Sequence, residues 1–576
     1  MPIDRRYIER ERDGRVPFPP EVWVLMSAVP AVKTQPSRTF RLQVSSQPAR
    51  VCLIQPSTLT SADAYGLDVV PPLGLAYIAS ALKGAGHYVT FVDGVGEALE
   101  RYGRAPGYDG LLVHGLPIDE IIARIDPDAH VVGVTSMFSN QWLFTRDLIV
   151  AIREKYPEKL IIMGGEHVTA CADYIIESCA AVDICVLGEG EETIIDVVDA
   201  YRTGRPLVEV SGIVFRDAGK PVRTPRRGRI RAIDEIPEPD WSIVPIERYI
   251  ENGVTYGANL GRSIPLLASR GCPFQCTFCS SPQMWTTLWS ARKPELVVAE
   301  MKKYMTRYNV TNFDFYDLTA IVRKQWIADF CNILIKEDLN VTWQLASGTR
   351  SEAIDSEITP LLYKAGCRLV IYAPESGSPE ELKRIKKKVK LDRMIASMRD
   401  AHRAGIETKA NMIFGMLGMT WRDVLHSYLF IARMALVGVT NVAGYPFSPY
   451  PGSENFASLV KEGKAKLSDE YFMGLLMLAR NLHTKNTVSY NEKFGSRTLA
   501  LICSGAFLMF YGVSFAVRPW RAFQIAYTNF IKREASSILT LAFTNMRRKK
   551  AAIKMMERQQ SDAVMLPDEL KVRNTT

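Results

Sequence analysis

Arg270-Gly271-Cys272-Pro273-Phe274-Gln275-Cys276-Thr277-Phe278-Cys279-Ser280 spaces three cysteines by three and then two residues, just beyond the apolar run 264–268. An apolar run of that length reads as a strand, so the thiols sit in the loop that leaves it. Three thiolates in one loop suit three irons of a cubic 4Fe-4S cluster. Such clusters normally take four cysteines, so a dedicated trio leaves one iron open for a small ligand. The competing reading is a zinc loop, which would want a fourth Cys or His at finger spacing. No histidine lies between His167 and His402.

Outward from that loop, composition bounds the rest. A chain of 576 residues implies three or four modules, and 47% hydrophobic with 23% charged residues is a globular composition. The net charge of +9 is gathered in short runs at 226–231, 383–390 and 547–550. No aromatic-interleaved stripe accompanies them, so nucleic acid is not an expected partner. The seven cysteines outside the loop (Cys52, Cys171, Cys179, Cys185, Cys331, Cys367, Cys503) lack paired spacing. They read as buried thiols of a reducing compartment. The first 15 residues are charged, without the apolar region of a secretory signal, so a cytoplasmic location is expected.

Residues 1–48 read as an N-terminal extension with no legible function. From 49 to 205, apolar runs at 51–54, 89–92, 131–134, 160–163 and 184–187 alternate with helical stretches near 73–84, 118–125, 141–155, 168–178 and 191–202. That pattern predicts a doubly wound α/β domain with a parallel sheet covered on both faces. Its ligands belong outside the carboxyl ends of the strands. There lie Ser136 to Asn140, Gly164-Gly165-Glu166-His167 and Gly188-Glu189-Gly190. Each glycine turn taken alone is explained as well by turn geometry. Residues 206–262 read as a hairpin at 211–227 and a Pro-rich linker.

From 263 to 455, strands at 264–269, 312–316, 342–346, 369–373, 408–414 and 439–445 alternate with helices, which fits a partial (β/α)6 TIM-like barrel. Active sites of such barrels lie at the carboxyl ends of the strands, where Asp317, Ser347, Arg350, Glu375 and Ser376 fall. A zwitterionic ligand wants a carboxylate for its ammonium and a guanidinium for its carboxylate, tasks suited to Glu375 and Arg350. The competing expectation is a structural ion pair, with each other or with the basic 383–390 segment. Residues 456–576 read as a helical C-terminal region. Within it, 499–517 carries no formal charge over nineteen residues, long enough by itself to span a bilayer. A buried or interfacial helix is the preferred reading, because glycines and serines dilute it and basic and aromatic residues follow at once.

The Cys272, Cys276, Cys279 spacing resembles the signature of the radical S-adenosylmethionine (SAM) superfamily. The segment Pro72 to Tyr77, the Gly86-His87 turn, Gly164 to His167 and Gly188 to Glu191 look like the cobalamin-binding domain that precedes many of its members. Gly366-Cys367, Glu375 to Ser378 and Met412 to Thr420 are similar to that cobalamin-dependent group as well. The resemblance covers about residues 50–455. It implies a 4Fe-4S cluster on Cys272, Cys276 and Cys279, with SAM on its open iron. It implies SAM contacts from Phe278, Asp317, Ser347, Arg350, Glu375 and Ser376. Cobalamin would be cradled by Ser136, Asn140, Gly164, Gly165, Glu166, His167, Gly188, Glu189 and Gly190. The Asp-x-His-x-x-Gly signature of cobalamin mutases is absent, so a base-off cofactor without a His ligand is implied.

The activity so implied is methylation of an unactivated carbon of a hydrophobic small molecule, with an electron donor such as flavodoxin or ferredoxin. The rivals are a cobalamin-dependent cyclase or oxidoreductase, a non-catalytic cobalamin or redox sensor, and a methylthiotransferase. The last would need three further cluster cysteines and an RNA-binding β-barrel. Peripheral contact with the inner membrane surface is a further expectation for the apolar tail.

Overall fold

The computed structural model describes residues 47–61, 69–349, 353–477, 487–527, 544 and 546–556. Most of the expected N-terminal extension lies outside them. The first domain is built on a seven-stranded sheet. Its strands are β1 (Arg50–Gln55), β3 (Tyr88–Asp93), β6 (Val131–Thr135), β7 (Leu160–Gly164), β8 (Ile184–Val186), β9 (Ile213–Asp217) and β10 (Lys220–Arg223). They run in the order β10-β9-β8-β7-β6-β1-β3. The five strands read from apolar runs are mutually parallel, and the hairpin β9–β10 adds to the β8 edge antiparallel. Burial on both faces explains the runs of Val and Ile: β6 and β7 are enclosed along nearly their whole length. The strand order reverses at β1, so the crevice between the loops after β1 and β6 is where a doubly wound sheet binds its ligand.

A second, three-stranded antiparallel sheet joins β2 (Thr58–Ser61), β4 (Tyr102–Arg104) and β5 (Leu111–His114). The sequence pattern did not predict it. The linker holds to the first domain through Tyr249, whose hydroxyl donates to the buried carboxylate of Asp93 at 2.8 Å.

The second domain is a six-stranded parallel sheet in the order β11 (Ser263–Leu266), β14 (Asn312–Phe315), β15 (Thr342–Thr349), β16 (Cys367–Glu375), β17 (Glu407–Phe414), β18 (Asn441–Pro446). Strand order equals chain order and every pair is parallel, which is the expected partial barrel. A two-residue ribbon, β12 (Ser269–Arg270) with β13 (Ser290–Ala291), brackets the cysteine loop. The segment 255–258 plugs the barrel from below. Ala258 N–H donates to Gln344 Oε1 at 2.8 Å, and a Cβ on Gly257 would land 2.1 Å from that oxygen.

The C-terminal region is helical and divides its packing between both domains. Helix Asp469–Met477 joins the core of the first domain, where Phe472 meets Trp142 and His167. Arg146 pins it through Asp469 at 2.6 Å. Helix Ser496–Val517 is long and apolar enough to cross a membrane, yet 39% of its most apolar window is buried. One side packs on helix Trp421–Val437, with Tyr428 Oη donating to the Ile502 carbonyl at 2.7 Å. The basic residues after it turn inward. Arg518 donates to the carbonyls of Ala435 and Leu436 at 2.9 and 3.0 Å, capping the C-terminus of Trp421–Val437.

Candidate active site

The cysteine loop leaves β12 and runs to the short helix Ser281–Trp285. Cys272, Cys276 and Cys279 are all partly exposed, whereas the other seven cysteines are buried. Burial pushes the Cys279 thiol up to about 12, and Glu166, Cys276 and Cys272 add to it through their charges. Mutually repelling thiolates are what a cationic iron cluster relieves. Among the described residues no three His, Cys, Asp or Glu side chains could hold a metal ion together. A cubic cluster instead takes each thiolate on a different iron. Helix Pro379–Arg384 lies against this loop, with Thr277 N–H donating to the Ile385 carbonyl at 3.1 Å. Phe278 packs beside Leu382, Ile385, Met416 and Phe447.

Glu375 ends β16 with φ of +65°, a left-handed conformation that is uncommon outside glycine. Its carboxylate accepts from Lys387 Nζ at 3.0 Å, and Lys387 also lies 6.0 Å above the Phe278 ring. The ion pair with the basic segment, the competing expectation for Glu375, is therefore present. Ser376 departs from expectation. Its buried hydroxyl donates inward to Glu381 Oε2 at 2.5 Å and meets Ser427 Oγ at 3.3 Å, and its N–H donates to the Pro374 carbonyl at 2.8 Å, so only its own carbonyl is left for a ligand. Burial raises the Glu381 carboxyl to about 7.

Asp317 is also turned inward. It accepts from Ser269 Oγ at 2.5 Å and Ala268 N–H at 3.1 Å, fastening β14 to the strand that feeds the cysteines. Asp317 and Ser347 line the same shallow cleft. Arg350 lies outside the described residues.

At the first sheet, the loops after β7 and β8 reach the cysteine loop, and the loop after β6 packs beside that after β7. Glu166 accepts a hydrogen bond from Ser280 Oγ, the residue after Cys279. Gly188 lies near the carbonyl of Met284, on the other side of the same loop. These loops fit a large planar cofactor in three respects. A Cβ on Gly164 would meet nothing within 4 Å, so the backbone there is open. Ser136 Oγ is buried without a partner. Met137 and Phe138 are 49% and 59% exposed beside it, and Asn140 follows half-buried. Gly165 serves packing instead: its φ is +117°, and a Cβ would strike the Ser136 carbonyl at 2.4 Å.

Two expected contacts are occupied elsewhere. His167 Nδ1 is bonded to Ser139 Oγ at 2.9 Å, and its ring is held against Trp142 and Phe472. Burial drives its pKa down to about 3, so it is a neutral core histidine and not an exposed axial ligand. Glu189 is committed to Arg229 at 2.6 Å and Arg270 at 3.3 Å, while Arg270 also binds Glu191 at 2.6 Å. This buried network clamps the β8 loop and the linker to the strand that carries the cysteines. Gly190 packs under Ile78. The sequence reading missed Arg229 because it treated the linker as a spacer, and it quoted Arg270 only as the start of the cysteine loop, without its partners.

Comparison with known proteins agrees with this geometry. Residues 65–198 match the B12 binding domain family, and residues 266–431 match the Radical SAM superfamily. An uncharacterized methyltransferase of Pyrococcus horikoshii is 27% identical over 80% of this chain and 92% of its own. An anaerobic magnesium-protoporphyrin IX monomethyl ester cyclase of Rubrivivax gelatinosus is 29% identical over 68% of this chain and 66% of its own. Among solved structures, the cobalamin-dependent SAM radical enzyme OxsB, with aqua-cobalamin and SAM bound, superimposes with a TM-score of 0.60. That match is 16% identical and covers 92% of this chain and 83% of OxsB. The chain belongs to the cobalamin-binding radical SAM enzymes. Its cofactors are a 4Fe-4S cluster, SAM and cobalamin.

Proposed function

We propose that the protein methylates an unactivated carbon of a small, largely hydrophobic molecule. The observation that carries this is the bond from Ser280 to Glu166, which joins the loop after Cys279 to the cofactor-facing edge of the first sheet. It supports two cofactor sites that open on one space. When bound there, the cluster, SAM and cobalamin supply reductive SAM cleavage, hydrogen abstraction from carbon and methyl donation.

This chain's own residues hold and orient. Cys272, Cys276 and Cys279 would ligate the cluster, with Cys279 entering as a thiolate although burial favours its thiol. Glu375 and the Ser376 carbonyl would take the SAM ammonium, with Phe278 nearby. The open backbone at Gly164, with Gly188, Ser136 and Asn140, would seat the corrin. The Glu189–Arg270 network fixes the distance between the two sites. A reacting carbon held between the two domains would be kept from water and oxygen.

A second reading, cyclisation or oxidation with the same cofactors, is favoured by the similarity to the Rubrivivax cyclase. Anaerobic turnover with methyl-labelled SAM and a flavodoxin or ferredoxin donor separates them. Label transferred to substrate supports methylation; label found only in methionine, with 5′-deoxyadenosine formed, overturns it in favour of cyclisation. The exposed apolar face of Ser496–Val517 supports work at the cytoplasmic surface of a membrane, where such substrates partition.

A further inference from the structure

The concave face of the barrel carries a polar group that the cofactors do not use. Along β17 the side chains alternate: Thr408, Ala410, Met412 and Phe414 are buried, while Lys409, Asn411 and Ile413 are half-exposed. Ala410, Met412 and Phe414 belong to the main core that includes the covering helices. Lys409 therefore belongs to the opposite, inner face. Its register partner Ile371 agrees, since Ile371 packs on Ala258 of the plug inside the barrel.

One phenol meets Lys409, and two more continue from it: Tyr445 lies close enough to Tyr256 to influence its charge, and Tyr256 packs on Tyr316. Tyr445 Oη is 3.5 Å from Lys409 Nζ. Tyr256, rising from the plug, meets Tyr316 edge-on with centroids 5.3 Å apart. The Tyr256 hydroxyl also bonds the side chain of Ser347. Tyr316 Oη and Asn411 Oδ1 are buried without a hydrogen-bond partner.

Among the described residues no carboxylate lies within ion-pair distance of Lys409. Asp314, the inward acid of β14, is already satisfied by Thr255 Oγ1 at 2.7 Å, Tyr256 N–H at 3.0 Å, Asn312 Nδ2 at 2.8 Å and Gln344 Nε2 at 2.6 Å. A half-buried ammonium without an anion is unfavourable unless a ligand completes it.

We propose that Lys409, framed by Tyr256, Tyr316, Asn411 and Tyr445, is a substrate-anchoring site in the barrel lumen. It takes the anionic substituent, carboxylate or phosphate, of a substrate whose aromatic or conjugated body lies against the phenols. The inference rests on the radical SAM reading for its placement below the cofactors and narrows the hydrophobic substrate to an amphiphilic one. Tethering at Lys409 leaves the far end of the molecule to face the cysteine loop, so the anchor sets which carbon is presented.

Equilibrium dialysis of the full-length protein, reconstituted anaerobically with cluster and cobalamin, tests this with naphthylpropionate, its neutral amide, naphthyl phosphate and SAM. At least one anionic probe binds about tenfold or more tightly than the amide, as expected for a charged hydrogen bond, and the tighter anion identifies the substituent. Lys409→Met collapses that preference to about twofold or less and leaves SAM affinity unchanged, while Lys409→Arg retains it. The proposal is overturned if neither anion is preferred over the amide. It is also overturned if Lys409→Met keeps the preference, or if SAM affinity falls in step with it, which would assign the lysine to SAM. Failure of the wild type to bind SAM in the same cells would sink the radical SAM reading without touching the anion preference.

Discussion

Lys387 holds its ammonium 3.0 Å from a carboxylate oxygen of Glu375, above the face of Phe278. A ligand ammonium at Glu375 would have to displace that of Lys387 or share the carboxylate with it. The strained φ of +65° at Glu375 aims the carboxylate there, and strain of this kind persists only where surrounding structure enforces it.

Glu375→Gln is therefore expected to weaken SAM binding about tenfold or more, the size of one charged hydrogen bond. Iron and sulfide content should stay at the wild-type level, and Lys387→Met should not weaken SAM binding. Calorimetric titration of SAM into the reconstituted protein measures this; an unchanged affinity in Glu375→Gln would remove the residue from the site.

The bond from Ser280 to Glu166 predicts a local loss when broken. Glu166→Ala leaves a polar group without its partner at the domain interface, a change of about 1–3 kcal/mol. Hydrogen exchange should accelerate in peptides covering 272–285 and 160–170, with β16 and β17 unaffected. Uniform acceleration across both sheets would show instead that Glu166 supports the whole fold.

Much of this architecture was legible from chemistry-bearing residues and apolar runs. The parallel strands showed themselves because enclosure on both faces demands unbroken Val, Ile and Leu, as in β6 and β7. Strands β2 and β4, Thr58–Ser61 and Tyr102–Arg104, escaped because three polar residues around one Leu, or three mixed residues, are too short to carry a periodicity. The cysteine spacing is local, so it was readable; the commitment of Glu189 to Arg229 and Arg270 spans dozens of residues and was not. Lys409 illustrates the same limit. Alternation along 407–414 separates two faces of a strand, but only closure of the barrel makes one of them an interior. His167 looked like a cofactor contact until Phe472, some three hundred residues later, was seen against its ring.

Asp93 makes a pH prediction. It is fully buried, and desolvation lifts its carboxyl to about 6 despite bonds from Tyr249 Oη and the backbone of Gly96 and Val95. Its folded pKa thus exceeds the unfolded value of about 3.9, so the folded state binds the proton more tightly. The associated stability is complete below the unfolded pKa and is lost as pH rises through about 6. The loss is of order 3 kcal/mol, from about two units at 1.36 kcal/mol each. Thermal unfolding of wild type should accordingly weaken between pH 4 and about 6 by more than that of Asp93→Asn, whose amide does not titrate in this range. Parallel pH profiles for the two proteins would exclude Asp93 as the source.

The last prediction concerns the apolar surface shared by two packed helices. Helix Trp421–Val437 exposes Trp421, Leu425, Leu429 and Leu436 at 57, 57, 56 and 52%, and its neighbour Ser496–Val517 exposes Leu501 and Leu508 at 65 and 69%. Trp520 and Phe523 extend the strip at 60 and 76%. Contiguous exposure of this kind marks an interaction surface. Because Arg518 and Arg521 are spent on carbonyls of Ala435, Leu436 and Val439, attachment here would rest on apolar contact more than on charge. The protein should therefore float with phosphatidylethanolamine–phosphatidylglycerol vesicles, and added salt should release little of it. Leu425→Glu combined with Leu508→Glu should abolish flotation without changing iron content or SAM binding, since neither side chain reaches the cofactor loops. Wild-type protein that stays at the bottom of the gradient would limit the strip to protein contacts.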